Sequence, residues 1–154
     1  MDVDGTVIAQ TGPIARYCGK LGGLYPRDDD LAAAKIDEII DVATDMTNFI
    51  APTMRMPAEE KVETRKKVFA EKMPNYFENL EKILAGNDSG FFVGKTMTIA
   101  DIAIWKLMGW FTGGALDGVP TSVIDGYPNL VKHSQLIGAN EKIKAWMDSH
   151  YSKK

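Results

Sequence analysis

One cysteine, Cys18, and two histidines, His133 and His150, are the only thiol and imidazole groups among 154 residues. That scarcity excludes an internal disulfide framework, a CxxC knuckle and a metal site built from histidines, and it suits a reducing compartment. Long apolar runs are lacking as well. Nothing approaches the roughly 18 uninterrupted apolar residues of a membrane helix, so no membrane insertion is expected. The start Met1-Asp2-Val3-Asp4 is acidic where a secretion or organelle signal is basic. Basic blocks are also missing: 18 Lys and Arg against 21 Asp and Glu leave a net charge of −3, which gives a nucleic-acid partner no electrostatic support.

What is present is an ordinary globular composition, 45% hydrophobic and 25% charged, with enough apolar residues to bury a core. The length suits one domain, or one domain plus a fragment of another. Residues 1–10 read as two short strand segments about Asp4-Gly5, a dipeptide suited to tight hairpin turns. From Thr11, an N-cap candidate followed by Pro13, the spacing of Ile14, Tyr17, Cys18 and Leu21 predicts a helix that Gly22-Gly23 ends. A cysteine within that apolar stripe is expected to be an inert core residue.

Leu31, Ile36, Ile39, Ile40, Ala43, Met46, Phe49 and Ile50 predict a long helix stopped or kinked at Pro52. A second long helix is expected over 57–85, bent at Pro74. The run Thr98 to Phe111 is apolar nearly all round and belongs at the centre of the domain. A short helix over 121–124 and two more after Tyr127-Pro128 complete a mainly α chain, and His133 and His150 are expected at the surface or at helix ends.

The sharpest local signal is Met97-Thr98-Ile99-Ala100-Asp101-Ile102, a capping box between Thr98 and Asp101 inside a hydrophobic staple of Met97 and Ile102. On its own it folds a helix and does no chemistry. In context, FFVGKTMTIADIAIW resembles the "VG…(S/T)xAD" signature in the all-helical C-terminal domain of the glutathione S-transferases. DVDGTVIAQTGPIARYCGKLGGLYP is similar to the end of that family's thioredoxin-like N-terminal domain, with Gln10-Thr11 at its "Gln-Ser" pair and Ile14 to Tyr17 at its "AIxRY". YPNLVKHSQLIGANEKIKAWMDSHY resembles the family's ending, with Glu141 or its neighbours where a proline is usual. The likeness covers the whole chain and is nearest the sigma-like cytosolic class.

The resemblance implies a glutathione S-transferase C-terminal-like helical bundle over 26–154, preceded over 1–25 by a β-hairpin and helix left from a truncated thioredoxin-like domain. It implies glutathione as co-substrate, its γ-glutamyl carboxylate held by Gln10 and Thr11 at a helix N-terminus. Asp45 stands at the family position that reaches the γ-glutamyl amine across a homodimer, on the acidic row Asp37, Asp41, Asp45. It also implies that the catalytic Tyr, Ser or Cys, which hydrogen-bonds the glutathione thiolate, lies upstream of Met1, together with a cis-proline, and that no metal is needed.

The expected activity is conjugation of glutathione to hydrophobic electrophiles, or a related isomerase or peroxidase reaction, provided the missing segment is present. The second reading is a non-catalytic dimerisation or scaffold subunit in a larger assembly. Cytoplasmic localisation is expected, unless a targeting peptide has been lost with the N-terminus. Phe49 and Met54, at the end of the first long helix, are candidates for the electrophile pocket, since adaptable apolar walls suit varied substrates.

Overall fold

A computed structural model describes residues 1–151. It is mainly helical, with a two-stranded hairpin in front. Strands β1 (Asp2–Val3) and β2 (Thr6–Val7) pair antiparallel with Asp2 opposite Val7 and Val3 opposite Thr6. Asp4 and Gly5 both take positive φ, 50° and 84°, as a type I′ turn requires, and the Asp2 carboxylate accepts from the Gly5 N–H at 2.8 Å. The hairpin leads directly into α1 (Thr11–Gly22).

Helix α2 (Asp30–Ile50) is capped by Asp29, whose side chain accepts from the Ala32 N–H. Pro52 stops it as expected, and the chain continues as a 3-10 turn over Ala51–Arg55. The expected second long helix is two helices, α3 (Ala58–Glu71) and α4 (Met73–Ala85). Pro74 does more than bend the chain: it sits in the first turn of a new helix, where its missing N–H costs nothing, and the break falls at Lys72. Helix α5 (Ile99–Thr112) follows a loop, and α6 (Pro128–Gly138) and α7 (Glu141–Tyr151) close the described chain.

The expected helix at 121–124 is not there. Val123, Asp125 and Tyr127 donate in succession to the carbonyls of Pro120, Ser122 and Ile124, so the segment is a run of overlapping turns. No helix among the described residues is long and apolar enough to cross a membrane.

Helix α5 is the axis of the core. Ala100, Ile104, Met108 and Phe111 are wholly or almost wholly inaccessible, packed with Ile36, Ile39, Met46 and Ile50 of α2 and Phe77 and Leu80 of α4. Phe111 receives Phe69 and Phe77 edge-on at 5.1 and 6.4 Å between centroids. Helix α6 is tied to α4 by Glu81, whose carboxylate accepts from the Asn129 N–H at 3.0 Å and the Leu130 N–H at 2.9 Å. These are first-turn groups that need an external acceptor.

At the start of α5 the capping box is formed, and its carboxylate does more than cap. Asp101 is fully buried. One oxygen accepts from the Thr98 N–H at 2.7 Å and the Thr98 hydroxyl at 2.9 Å; the other accepts from the Phe92 N–H at 2.9 Å and meets His133 Nε2 at 3.1 Å. A carboxylate only accepts, so Nε2 carries the proton. His133 is therefore a buried core residue and not the surface or helix-end group its sequence context suggests. Its ring lies 4.7 Å from that of Phe92.

Asp101→Ala would strip partners from two buried backbone N–H groups and from His133. It should lower unfolding free energy by about 3 kcal/mol or more, against about 1 kcal/mol for Thr98→Ala. Urea titration followed by far-UV circular dichroism measures both, and equal losses for the two variants would contradict this ranking.

Candidate functional site

Gln10 enters α1 with φ 70° and ψ 139° and gives no side-chain cap. A non-glycine residue in this region is strained by roughly 1–3 kcal/mol, a cost that tends to be kept where a site depends on it. The helix itself begins at Thr11, so Thr11 is its first helical residue and not the N-cap expected from sequence. Its first turn has no acidic residue, Pro13 has no N–H, and Ile14 N–H already bonds to the Gln10 carbonyl at 3.2 Å. The N–H groups of Thr11 and Gly12 are left without intrahelical acceptors, at the positive end of the helix dipole.

This helix start opens on a cavity of about 510 Å³ between α1, α2 and α5. Its floor is apolar: Ala15, Ile40, Ala43, Ala103, Leu107 and Trp110. Gln10, Thr11, Thr44, Thr47, Asn48 and Lys106 supply its polar groups. The hydroxyls of Thr44 and Thr47 donate back to the carbonyls of Ile40 and Ala43 at 3.0 and 2.8 Å, which leaves their oxygen lone pairs to face a ligand. An anion at the helix start with an apolar body over Leu107 and Trp110 fits this distribution.

The placement of α1 against the bundle rests on polar ties and one close approach. Arg16 Nε donates to Asp37 at 2.6 Å, a second guanidinium nitrogen lies 3.5 Å from Asp41, and the Tyr25 hydroxyl donates to the same Asp37 oxygen at 3.0 Å. A Cβ on Gly19 would stand 2.7 Å from Ile99 Cγ2, so only glycine lets α1 lie this near the start of α5. The Asp37 hydrogen bond, ahead of the opposing effect of partial burial, raises the Arg16 pKa further above its already high ordinary value. Partial burial, then the Asp37 hydrogen bond, raises the Tyr25 pKa above 10.0.

The other sequence candidates fall in different places. Asp45 is exposed on α2 and does not line the cavity, although its neighbour Thr44 does. Cys18 is exposed, with its sulfur 3.8 Å from that of Met1, and Leu21 is exposed too. Gly19 is the buried residue of α1, so the expected inert core cysteine is corrected: no element of the described residues covers that flank of the helix. Phe49 packs edge-on against Tyr76 at 6.0 Å, and the Met54 sulfur lies 3.1 Å from the buried Arg65 guanidinium. Neither lines the cavity.

Lys106 and Trp110 do line it; both lie in the run from Thr98 to Phe111 whose sequence reads as an apolar core helix. The usable signal was that Lys106 is the one basic residue in the run from Thr98 to Phe111. A larger cavity, about 890 Å³, lies between the end of α1, α5 and α7 and is walled by Leu24, Ile102, Trp105 and Trp146. The helix start that faces it, that of α7, is already capped by Asn140, whose side-chain oxygen accepts from the Lys142 and Ile143 N–H groups at 3.0 and 3.3 Å, so size alone does not make it the better candidate.

Residues 44–150 match the family model of the glutathione S-transferase C-terminal domain. Over 108 residues the chain is 36% identical to probable glutathione S-transferase 6 of Caenorhabditis elegans, covering 68% of this chain and 52% of that protein. Over 152 residues it is 29% identical to glutathione S-transferase 1 of Ascaris suum, covering 96% and 70%. The chain thus spans only about half the length of the first of these relatives. Among solved structures it superposes on prostaglandin synthase D of Nilaparvata lugens with a TM-score of 0.82 at 26% identity, covering 96% and 71%. The glutathione S-transferase from Ascaris lumbricoides gives 0.75 at 27%, also covering 96% and 71%.

The raised pKa of Tyr25 has a pH consequence. A group whose folded pKa is raised contributes stability that is fully present below its unfolded value of 10.0 and is lost as pH rises through the folded value. Wild type should therefore lose thermal stability above pH 10.0 more steeply than Tyr25→Phe, as read from melting temperatures across that range. Parallel curves would show that the Tyr25–Asp37 contact does not hold α1 in place.

Proposed function

Because the chain belongs to the glutathione S-transferase family, with the family's C-terminal domain over residues 44–150, we propose that it serves a glutathione transferase of the sigma-like class. In this reading residues 1–25 close a thioredoxin-like domain and residues 26–154 form the helical one. The complete protein joins glutathione, as co-substrate, to a hydrophobic electrophile, or uses it in a related isomerase or peroxidase reaction. The transferase and synthase names of its relatives support an enzyme over a scaffold subunit.

The observation that carries this reading is the strained Gln10 at an uncapped helix start beside an apolar cavity. The Thr11 and Gly12 N–H groups and the Thr11 hydroxyl take the γ-glutamyl carboxylate, and the Gln10 side chain completes the contact. The cysteinyl sulfur then lies toward the apolar floor, where an electrophile can meet it. Asp45, exposed and outside the cavity of its own chain, serves the glutathione amine of a second copy in a homodimer. The group that stabilises the thiolate is expected among residues preceding Met1. The site needs no metal, and the cytoplasm, where glutathione is abundant, is the proposed location.

Isothermal titration of glutathione into the full-length protein tests the assignment. Thr11→Ala should weaken binding about tenfold, the value of one hydrogen bond to a charged group. Asp45→Ala should weaken it comparably, with the dimer preserved by size-exclusion chromatography. Wild-type affinity in both variants, or no binding by the unaltered protein, would overturn the proposal.

A further inference from the structure

The cavity beside Gln10 and Thr11 has one charged side chain among its lining residues, Lys106. The buried Asp101 is the only other charged residue of its helix, so a lysine here is out of keeping with its neighbours. Lys106 is exposed and makes no ion pair among the described residues; its ammonium sits 4.8 Å above the ring of Tyr151. Other carboxylates near α1 are already engaged: Asp37 and Asp41 both face Arg16. An ammonium offers three donors and no acceptor, and an aromatic face satisfies it less well than an anion does.

Lys106 also lines the larger cavity, together with Trp105 and Trp146. The two cavities therefore meet at this one cation on the outer face of α5. An apolar body laid along Ala103, Leu107 and Trp110 would bring an attached anionic group within reach of it. The helix start supplies a second, separate anion position for glutathione, so the two charges do not compete.

We propose that Lys106 is a specificity-determining residue that selects apolar electrophiles carrying a carboxylate. This rests on the transferase reading above and adds to it the class of the second substrate. Lys106 forms no bond to the reacting atoms; it pairs with the carboxylate and positions the apolar body between the helix start and the tryptophans. Exposure of the side chain on a helix surface means that it can be replaced without disturbing the core.

The test uses three probes on the full-length protein: glutathione alone, the thioether of glutathione with ethacrynic acid, and the same thioether as its methyl ester. Dissociation constants are measured by tryptophan fluorescence for wild type, Lys106→Ala and Lys106→Arg. Wild type should bind the acid about tenfold more tightly than the ester. Lys106→Ala should abolish that preference, Lys106→Arg should keep most of it, and glutathione alone should bind equally to all three. An acid-to-ester ratio unchanged by Lys106→Ala overturns the inference and leaves the transferase reading standing. Loss of glutathione affinity in Lys106→Ala, to the same degree as for the conjugates, also overturns it, since the lysine would then serve glutathione. Failure of wild type to bind any of the three probes overturns the transferase reading and this inference with it.

Discussion

The buried carboxylate of Asp101 is the constraint around which the bundle is arranged. An anion removed from water must be surrounded by donors or it destabilises the fold. Here they come from three places: Thr98 on the cap, Phe92 in the preceding loop and His133 on α6. Those segments are thereby fixed relative to the first turn of α5. Because α5 is one unbroken helix from that point, fixing its start also fixes which side chains it shows to α1 and α2. Ala103, Leu107 and Trp110 face the cavity as a consequence of where Asp101 is held.

Helix α1 is held by different physics. It buries little apolar surface, and hydrophobic packing alone would place it weakly. The Arg16–Asp37–Tyr25 contacts give it a direction along α2, while Gly19 against Ile99 lets its far end approach α5. The Ile99 N–H donates to the Leu24 carbonyl at 3.0 Å, which joins the segment after α1 to the same capped turn that Asp101 organises. Both walls of the cavity are therefore referred to one point, the start of α5.

How much of this could be read from the sequence depended on whether the determining interaction was local. The Asp4-Gly5 turn, the stop at Pro52, the Thr98–Asp101 box and the Gly23 end of α1 depend on a few adjacent residues, and those readings hold. Lys72 and residues 121–126 show the limit, because an apolar pattern continues across a break whose cause is one proline or a chain of turns. His133, Cys18 and Lys106 could not be placed at all from local pattern. His133 is buried by a carboxylate 32 residues away, Cys18 is exposed because no element of the described residues packs on its flank, and Lys106 lines two cavities only because α1, α2 and α7 bring their side chains beside it. The helix start at Gln10 and Thr11 was readable as a position. Its strain was not, since positive φ at a glutamine has no sequence signal.

That strain follows from the route of the chain. The hairpin closes with the Ile8 N–H on the Met1 carbonyl at 2.9 Å, and only Ala9 and Gln10 remain before α1 begins. Turning from β2 into a helix whose axis is set by Arg16 and Gly19 within that distance requires a sharp change of direction, which the positive φ of Gln10 supplies. Glycine could adopt the same angle without strain, but it would bring no side chain to the cavity and would loosen the entry. Glutamine in this conformation keeps a polar side chain at the cavity edge and leaves the first N–H groups of α1 uncapped. A helix start with an acidic first turn would satisfy these groups internally and exclude an anion; the absence of one at Thr11, Gly12 and Pro13 keeps the positive end of α1 available to a ligand.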